Sequence, residues 1–158
     1  MNKGLNKKLI ASLTIVLLVS AMFSFDYIRS KMFKIDVVSI MPNPAVADGQ
    51  TPVIITVQLR DYKGDIVKGH SLYALSKTGG MFKSTREITN DNGIAEFIYF
   101  PFKASEVNEI RDAVINISDE SNSVFIEIGT QTEFSIKLER PPKEKASVDL
   151  LLRGIFGE

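Results

Sequence analysis

A run of apolar residues close to the N-terminus constrains this chain more than any other feature. Residues 9–28 read LIASLTIVLLVSAMFSFDYI, with a single charged residue, Asp26, near the end. About 20 apolar residues are enough for a helix to cross the hydrocarbon core of a bilayer. We therefore predict a transmembrane signal-anchor helix over residues 9–28 that contacts lipid through aliphatic side chains. Those side chains are Leu9, Ile10, Leu13, Ile15, Val16, Leu17, Leu18 and Val19.

Two other interpretations of this segment stay open. In a cleaved signal peptide, residues 9–19 would form the apolar region and residues 19–21 (VSA) a cleavage site. The apolar run continues past that site through residues 22–25, however, which favours a retained anchor. A type IV prepilin-like leader would end at Gly4. Such proteins carry a glutamate five residues after the cleavage point, where this chain has Leu9.

The rest of the chain has the length and composition of one domain without cysteine chemistry. The protein has 158 residues, so a membrane helix and a short tail leave about 110, enough for one domain. The sequence contains no cysteine, which excludes disulfides, thiolate metal sites, cysteine nucleophiles and lipid attached through a cysteine. Because 19 Lys and Arg residues balance 19 Asp and Glu residues, we expect no nucleic-acid binding, which needs clustered positive charge.

Short apolar segments separated by turn residues predict an all-β sandwich rather than an alternating α/β fold. Every second residue from Val53 to Leu59 is apolar, and residues 94–100 alternate in the same way, so each segment has one face to bury. The predicted strands are residues 35–40, 53–60, 71–76, 94–100, 113–118, 124–128 and 132–139, with Ile66 and Val67 preceding the third. We expect the polar loop 119–123 to join 113–118 and 124–128 in a hairpin.

Two stretches carry a more specific resemblance. Ala47-Asp48-Gly49 precedes the strand 53–59, which is followed by Asp61, Gly64, Val67 and Gly69, and residues 89–97 read TNDNGIAEF. Over residues 35–139 the chain resembles the group 1 bacterial immunoglobulin-like domains of the invasin and intimin type. The resemblance implies an immunoglobulin-like β-sandwich that acts as an extracytoplasmic spacer, stalk unit or interaction domain and is generally not catalytic.

The same stretches allow predictions about turns and about departures from the family pattern. Gly49, Gly64 and Gly93 stand where tight turns need a positive φ angle. The family often has proline where this chain has Ile66, and a small apolar residue where it has His70. Residues 103–111 have the character of an insertion, within which residues 104–110 are the one helical candidate of the body.

The chain thus divides into four segments: a short basic tail (1–8), the transmembrane helix (9–28), the immunoglobulin-like domain (33–140) and a proline-started linker with an apolar C-terminal tail (141–158). In the tail, helical spacing places Val148, Leu151, Leu152 and Ile155 on one face, which Phe156 widens. Three occupants of that face stay open: the chain's own domain, a partner protein or neighbouring subunit, and the membrane surface.

Little in the sequence points to catalysis. His70 is the only histidine, and no G-x-S-x-G motif accompanies it, so we expect a surface histidine and no enzyme activity. Asp91 lies in a polar turn without the spacing of a calcium loop, and Asp119 and Glu120 are expected to be solvated. We expect no cofactor and no metal. Within the aromatic segment 97–102, alternation leaves a second face for core filling or for an interface. Its residues are Ile98, Phe100 and Phe102.

These patterns predict a membrane-anchored interaction or structural module of a cell-envelope assembly, such as a secretion, pilus or surface complex. Its expected partners are the bilayer, through residues 9–28, and other membrane or envelope proteins, with a second copy of the chain also possible. The alternative is an adhesin-type ligand- or receptor-binding domain that uses loops 77–87 and 103–111. Lysines flank the helix on both sides, so the positive-inside bias is weak. The character of the domain favours a single-pass protein with a cytoplasmic N-terminus and an extracytoplasmic C-terminal domain.

Overall fold

The computed structural model describes residues 3–105, 111–122, 124–125 and 129–141. One long helix, α1, precedes ten strands, and a short 3-10 helix (Glu120–Asn122) follows the eighth. The elements are α1 (Lys3–Ser30), β1 (Phe33–Met41), β2 (Ala45–Val46), β3 (Val53–Asp61), β4 (Ser71–Ser76), β5 (Met81–Phe82), β6 (Arg86–Ile88), β7 (Ile94–Phe100), β8 (Ala113–Asp119), β9 (Gln131–Ile136) and β10 (Leu138–Glu139).

The strands form two four-stranded antiparallel sheets with the core between them. One sheet has the order β1-β3-β7-β5 and the other β6-β4-β8-β9, while β2 and β10 form a parallel pair. The alternating residues of β3, β7 and β8 that face inward are fully buried or nearly so, because each strand has one apolar face that must leave water. The largest buried side chains are Tyr99, Phe97, Ile55, Leu59, Leu72, Ile115, Ile117 and Ile136.

The predicted all-β sandwich preceded by one N-terminal helix is therefore confirmed. The strands predicted over residues 35–40, 53–60, 71–76, 94–100 and 113–118 are all present, extended by at most two residues at an end. The segment predicted as a single strand over 132–139 is interrupted at Lys137, which lies between β9 and β10. The interruption lets the chain leave the second sheet after β9. Strand β10 then pairs in parallel with β2.

The predicted hairpin between 113–118 and 124–128 is wrong. Strand β8 pairs with β9 instead, from Ala113 opposite Ile136 to Ser118 opposite Gln131. Val124 and Phe125 are in a bend, and their N–H groups are bonded outside the sheet. Residues 104 and 105 are not helical, and the rest of the predicted helical turn lies outside the described residues. The apolar tail with Val148, Leu151, Leu152, Ile155 and Phe156 also lies outside them.

The glycine turns take the conformation that the motifs predict. Gly49, Gly64 and Gly93 have φ angles of 76°, 91° and 66°. At Gly93 the space is also filled, since an added Cβ would lie 2.8 Å from Ile66 Cγ2 and 2.9 Å from the carbonyl oxygen of Leu59. Gly93 is needed both for its φ angle and for the close approach of two turns.

We predict that Gly93→Ala lowers the free energy of unfolding by about 1–3 kcal/mol, because the added methyl group meets backbone at a positive φ angle. Gly64→Ala is the matched control: its φ angle is also positive, but nothing lies within 4 Å of its added Cβ. Thermal unfolding of both variants in detergent, followed by circular dichroism, measures the difference. Equal losses in the two variants would show that the close packing at Gly93 contributes nothing.

Candidate functional site

Helix α1 has the length and exposure that the sequence predicts for a membrane anchor. Its segment Lys7–Ser30 is long and apolar enough to cross a bilayer, by length and composition. The aliphatic side chains predicted to contact lipid are all exposed on the helix. They are Leu9, Ile10, Leu13, Ile15, Val16, Leu17, Leu18 and Val19.

At its C-terminal end the helix is bonded to the sandwich through Asp26. The Asp26 side chain is fully buried although its neighbours on the helix are exposed. Its Oδ2 accepts a hydrogen bond from the N–H of Phe125 at 2.7 Å, and its Oδ1 accepts one from the N–H of Val124 at 3.2 Å. The segment that follows β8 is thus held on the helix by its backbone.

Two further contacts complete this junction. The hydroxyl of Thr130 donates a hydrogen bond to the carbonyl oxygen of Ser30 at 2.8 Å, at the last residue of the helix. The rings of Phe25 and Phe125 meet edge to face, with centroids 5.7 Å apart. We call the five residues Asp26, Ser30, Val124, Phe125 and Thr130 the helix junction.

The energetics of the helix junction explain why a charged residue is tolerated there. Burial of a carboxylate is costly unless hydrogen bonds replace its hydration. A hydrogen bond to a charged group contributes about 1.5–3 kcal/mol, and the dipoles of two backbone N–H groups point at the same carboxylate. Asp26 therefore links the orientation of the sandwich to that of the helix.

The end of the sandwich next to the helix follows from the strand directions. Two residues separate the helix from β1, and the pairs β1–β3, β3–β7 and β4–β8 are all antiparallel. The near end therefore holds the turns after β3, β6 and β8. The far end holds the residues between β1 and β3, the turn after β4 and the residues between β7 and β8.

On the outer face of the first sheet, an apolar patch lies toward the far end. Met41, Ile54 and Ile98 are opposite one another across β1, β3 and β7, on the face away from the core. Phe100 follows on the same face of β7, opposite Met81 of β5. We call these five residues the outer patch. Ile54 is 45% exposed, and Met41 and Met81 are more exposed still, so the patch is open to contact.

The structure brings together two of the three residues predicted as a possible interface. Ile98 and Phe100 lie in the outer patch, half-buried. Phe102 lies after the end of β7 and packs against the core, with the Arg111 guanidinium 5.8 Å from its ring centroid. Met41, Ile54 and Met81 were missed because they join the patch through strand pairing, which the alternation within one strand does not reveal.

His70 is part of the near end, and its side chain is 21% exposed. Its Nδ1 lies 2.8 Å from Oδ2 of Asp119, whose side chain is fully buried. The other carboxylate oxygen of Asp119 accepts the N–H of Ser121. Asp119 is therefore not the solvated loop residue that was expected, because it ends β8 facing inward. The contact between His70 and Asp119 ties the start of β4 to the end of β8. Among the described residues no hydroxyl group is hydrogen-bonded to the His70 ring.

The pKa shifts at the surface and in the core arise from local pairs. Arg86 donates to both carboxylate oxygens of Glu120 and lowers the pKa of that carboxyl group. Thr51 does the same for Asp48 at the far end, through its hydroxyl and its N–H. Burial raises the pKa of Tyr99, whose hydroxyl donates to the carbonyl oxygen of Gly79. The hydrogen bonds behind these shifts lie at separate turns and strand ends and do not converge on one site.

We predict that Asp26→Ala opens the helix junction without unfolding the sandwich. The N–H groups of Val124 and Phe125 lose their acceptor, so their hydrogen exchange should become about 10- to 100-fold faster, the equivalent of about 1.5–3 kcal/mol. Amide exchange measured by NMR on the full chain in detergent tests this. Ser24→Ala is the control, because the Ser24 hydroxyl bonds only within the helix, to the carbonyl oxygen of Ser20. Unchanged exchange in Asp26→Ala would show that Asp26 does not hold these N–H groups in the helix junction.

Comparison with known proteins identifies the fold. No protein-family model and no curated protein sequence matches the chain. Among solved structures, the Yersinia pseudotuberculosis adhesin InvE matches 68% of this chain at 18% identity with a TM-score of 0.52. The D00-D0 domain of intimin matches at 12% identity (TM-score 0.47), and a conjugative transposon lipoprotein from Bacteroides eggerthii at 16% (TM-score 0.43).

The chain corresponds to only 27% of the InvE structure and 48% of the intimin structure. The likeness to InvE therefore concerns one part of a larger structure. It agrees with the resemblance carried by the ADG turn at residues 47–49 and by residues 89–97. The described β-sandwich has the bacterial immunoglobulin-like fold of the invasin and intimin type.

Proposed function

We propose that this protein is a single-pass, membrane-anchored subunit of a cell-envelope assembly, in which the immunoglobulin-like domain stands outside the cytoplasmic membrane and binds another envelope protein. The observation that carries the proposal is the helix junction. A helix of membrane length continues into the sandwich, and the domain's own backbone is bonded to it at Asp26.

The helix junction supports a retained anchor over a cleaved signal peptide. Cleavage near residues 19–21 would remove most of the apolar run while leaving Asp26 and Ser30 attached to the domain. The contacts of Val124, Phe125 and Thr130 would then hold a stub that carries no lipid-spanning segment. A domain that is built onto the end of a helix gains a defined orientation only when the helix is fixed in a membrane.

The outer patch supports a protein partner. Strand β1 rises about 3.4 Å per residue, so Met41 lies about 27 Å along the strand from Phe33, its first residue. The patch therefore lies on the half of the sandwich that is remote from the helix. Contiguous exposed apolar side chains on a sheet face are typical of protein interfaces.

The side of the membrane is the first prediction to test, and the absence of cysteine makes the test direct. We expect a cysteine at Lys77, which is exposed after β4, to react with a membrane-impermeant maleimide in intact cells. A cysteine at Asn6, before the membrane span, should react only after lysis. Full-length mass in the membrane fraction should accompany this pattern, because the anchor is retained.

The opposite labelling pattern would place the domain in the cytoplasm and overturn the proposal. Loss of the N-terminal residues from the mature protein would instead show a cleaved leader. A cysteine-free wild-type sample provides the background, and labelling of both variants after lysis shows that both cysteines are reactive.

The outer patch gives a second prediction. Ile54→Lys places a charge at the centre of the patch, so we expect it to reduce co-purification of stoichiometric membrane partners by about tenfold or more, the effect of losing a well-packed apolar contact. Ile88→Lys is the control, because Ile88 is at least as exposed but lies on β6 of the other sheet. Equal recovery of partners with both variants would exclude the patch as the interface.

One observation favours the alternative, an adhesin-type domain. The two loops predicted to contact a ligand meet at the far end, where the Arg111 guanidinium donates to the carbonyl oxygen of Thr78 and the Val114 N–H donates to the Thr78 hydroxyl. The far end is the one a ligand outside the cell would reach first. Binding of surface glycans or host proteins, without stoichiometric membrane partners, would favour this function over an assembly subunit.

A further inference from the structure

We propose that Val124 and Phe125 insert into the interfacial layer of the bilayer, so that the near end of the sandwich rests on the membrane surface. This inference rests on the proposed function only in requiring that α1 is a retained membrane anchor. It adds a second, peripheral contact with lipid, made by a segment more than 90 residues away along the chain from the helix.

The first observation is exposure. Val124 and Phe125 follow one another, and each is 53% exposed although both are apolar. They lie against the helix face that carries Phe25, which is itself exposed. The helix and the segment after β8 thus form one continuous apolar surface at this point.

The second observation is depth. The ring of Phe125 meets the ring of Phe25 at a centroid distance of 5.7 Å. Phe25 lies three residues before Ile28, the end of the apolar run, which corresponds to about 4.5 Å along a helix. If residues 9–28 span the hydrocarbon, Phe125 therefore lies at the boundary between acyl chains and headgroups. Aromatic side chains are enriched at this boundary in membrane proteins.

The third observation is the state of the backbone. A loop that enters an apolar layer must satisfy its N–H groups internally, since water is scarce there and each unsatisfied group costs several kcal/mol. The N–H groups of Val124 and Phe125 both donate to the carboxylate of Asp26. Their side chains are left exposed while their N–H groups are satisfied, which is the combination that insertion requires.

The charges nearby fit the same arrangement. The ammonium group of Lys31, one residue beyond the helix, lies 5.4 Å from the ring centroid of Tyr27. Lys31, Lys34, Arg60 and Lys63 line a cleft between the helix end and the near end of the sandwich, together with Asp36, which is paired with Lys34, and Asp61. Basic side chains just outside an aromatic layer lie at the level of lipid phosphates.

The absence of tryptophan makes the test specific. The variant Phe125→Trp contains one tryptophan in the full chain. We expect brominated phosphatidylcholine in reconstituted vesicles to quench the fluorescence of its indole about twofold or more, because interfacial side chains lie within about 5–10 Å of the headgroup boundary. Met81→Trp, an exposed position at the far end, is the control and should show no quenching. Val124→Trp repeats the measurement at the neighbouring position.

The outcomes separate this inference from the proposed function. Vesicle flotation reports anchoring independently of the fluorophore. Flotation with quenching at 125 or 124 but not at 81 supports insertion. Flotation with unquenched indoles at both 125 and 124 overturns insertion and leaves the anchor standing, provided that the circular dichroism of the variants matches that of the wild type. Shielding of those indoles by a co-purified protein would also overturn insertion and would assign the surface to that protein. Failure to float overturns both.

Discussion

The placement of the whole domain depends on one buried carboxylate. Asp26 is the single charge in an apolar run, and an unhydrated carboxylate in that position is stable only when donors surround it. The N–H groups of Val124 and Phe125 supply two such donors. The buried side chain is thereby satisfied by a contact between the helix and a segment far along the chain. The sandwich is attached to the helix at two places, through β1 and through the residues after β8.

The two attachment points explain how a small module can present surfaces in defined places. The helix junction holds the near end of the sandwich against the helix. At the same end, His70 and Asp119 tie β4 to β8. The same antiparallel strands carry Met41, Ile54 and Ile98 to the far half of the outer face. A rigid link between the helix and the domain then fixes the direction of the outer patch. Under the proposed function, an anchored subunit with a fixed patch is suited to assembly with neighbours in the same membrane.

Local patterns predicted much of the fold, and long-range pairing accounts for what they missed. Alternation identified β3 and β7 and their buried faces, because a strand with one apolar side is encoded within a few residues. Residues 124–128 have strand-forming composition, yet Asp26 binds two of their N–H groups and β9 takes the place beside β8. Asp26 itself was visible in the sequence as an isolated charge. Its partners, nearly 100 residues away, could not be deduced from spacing, and the same holds for the pairing of β2 with β10.

We infer that the helix and the sandwich form one rigid unit through Asp26. The most direct measurement is the distance distribution between spin labels on cysteines at Leu17 of the helix and Lys77 of the far end, determined by pulsed dipolar spectroscopy in lipid nanodiscs. A rigid junction predicts a single narrow distribution that broadens when Asp26→Ala is added. A distribution that is already broad in the otherwise wild-type chain, and that Asp26→Ala leaves unchanged, would show that the domain moves freely on its anchor and would contradict this account.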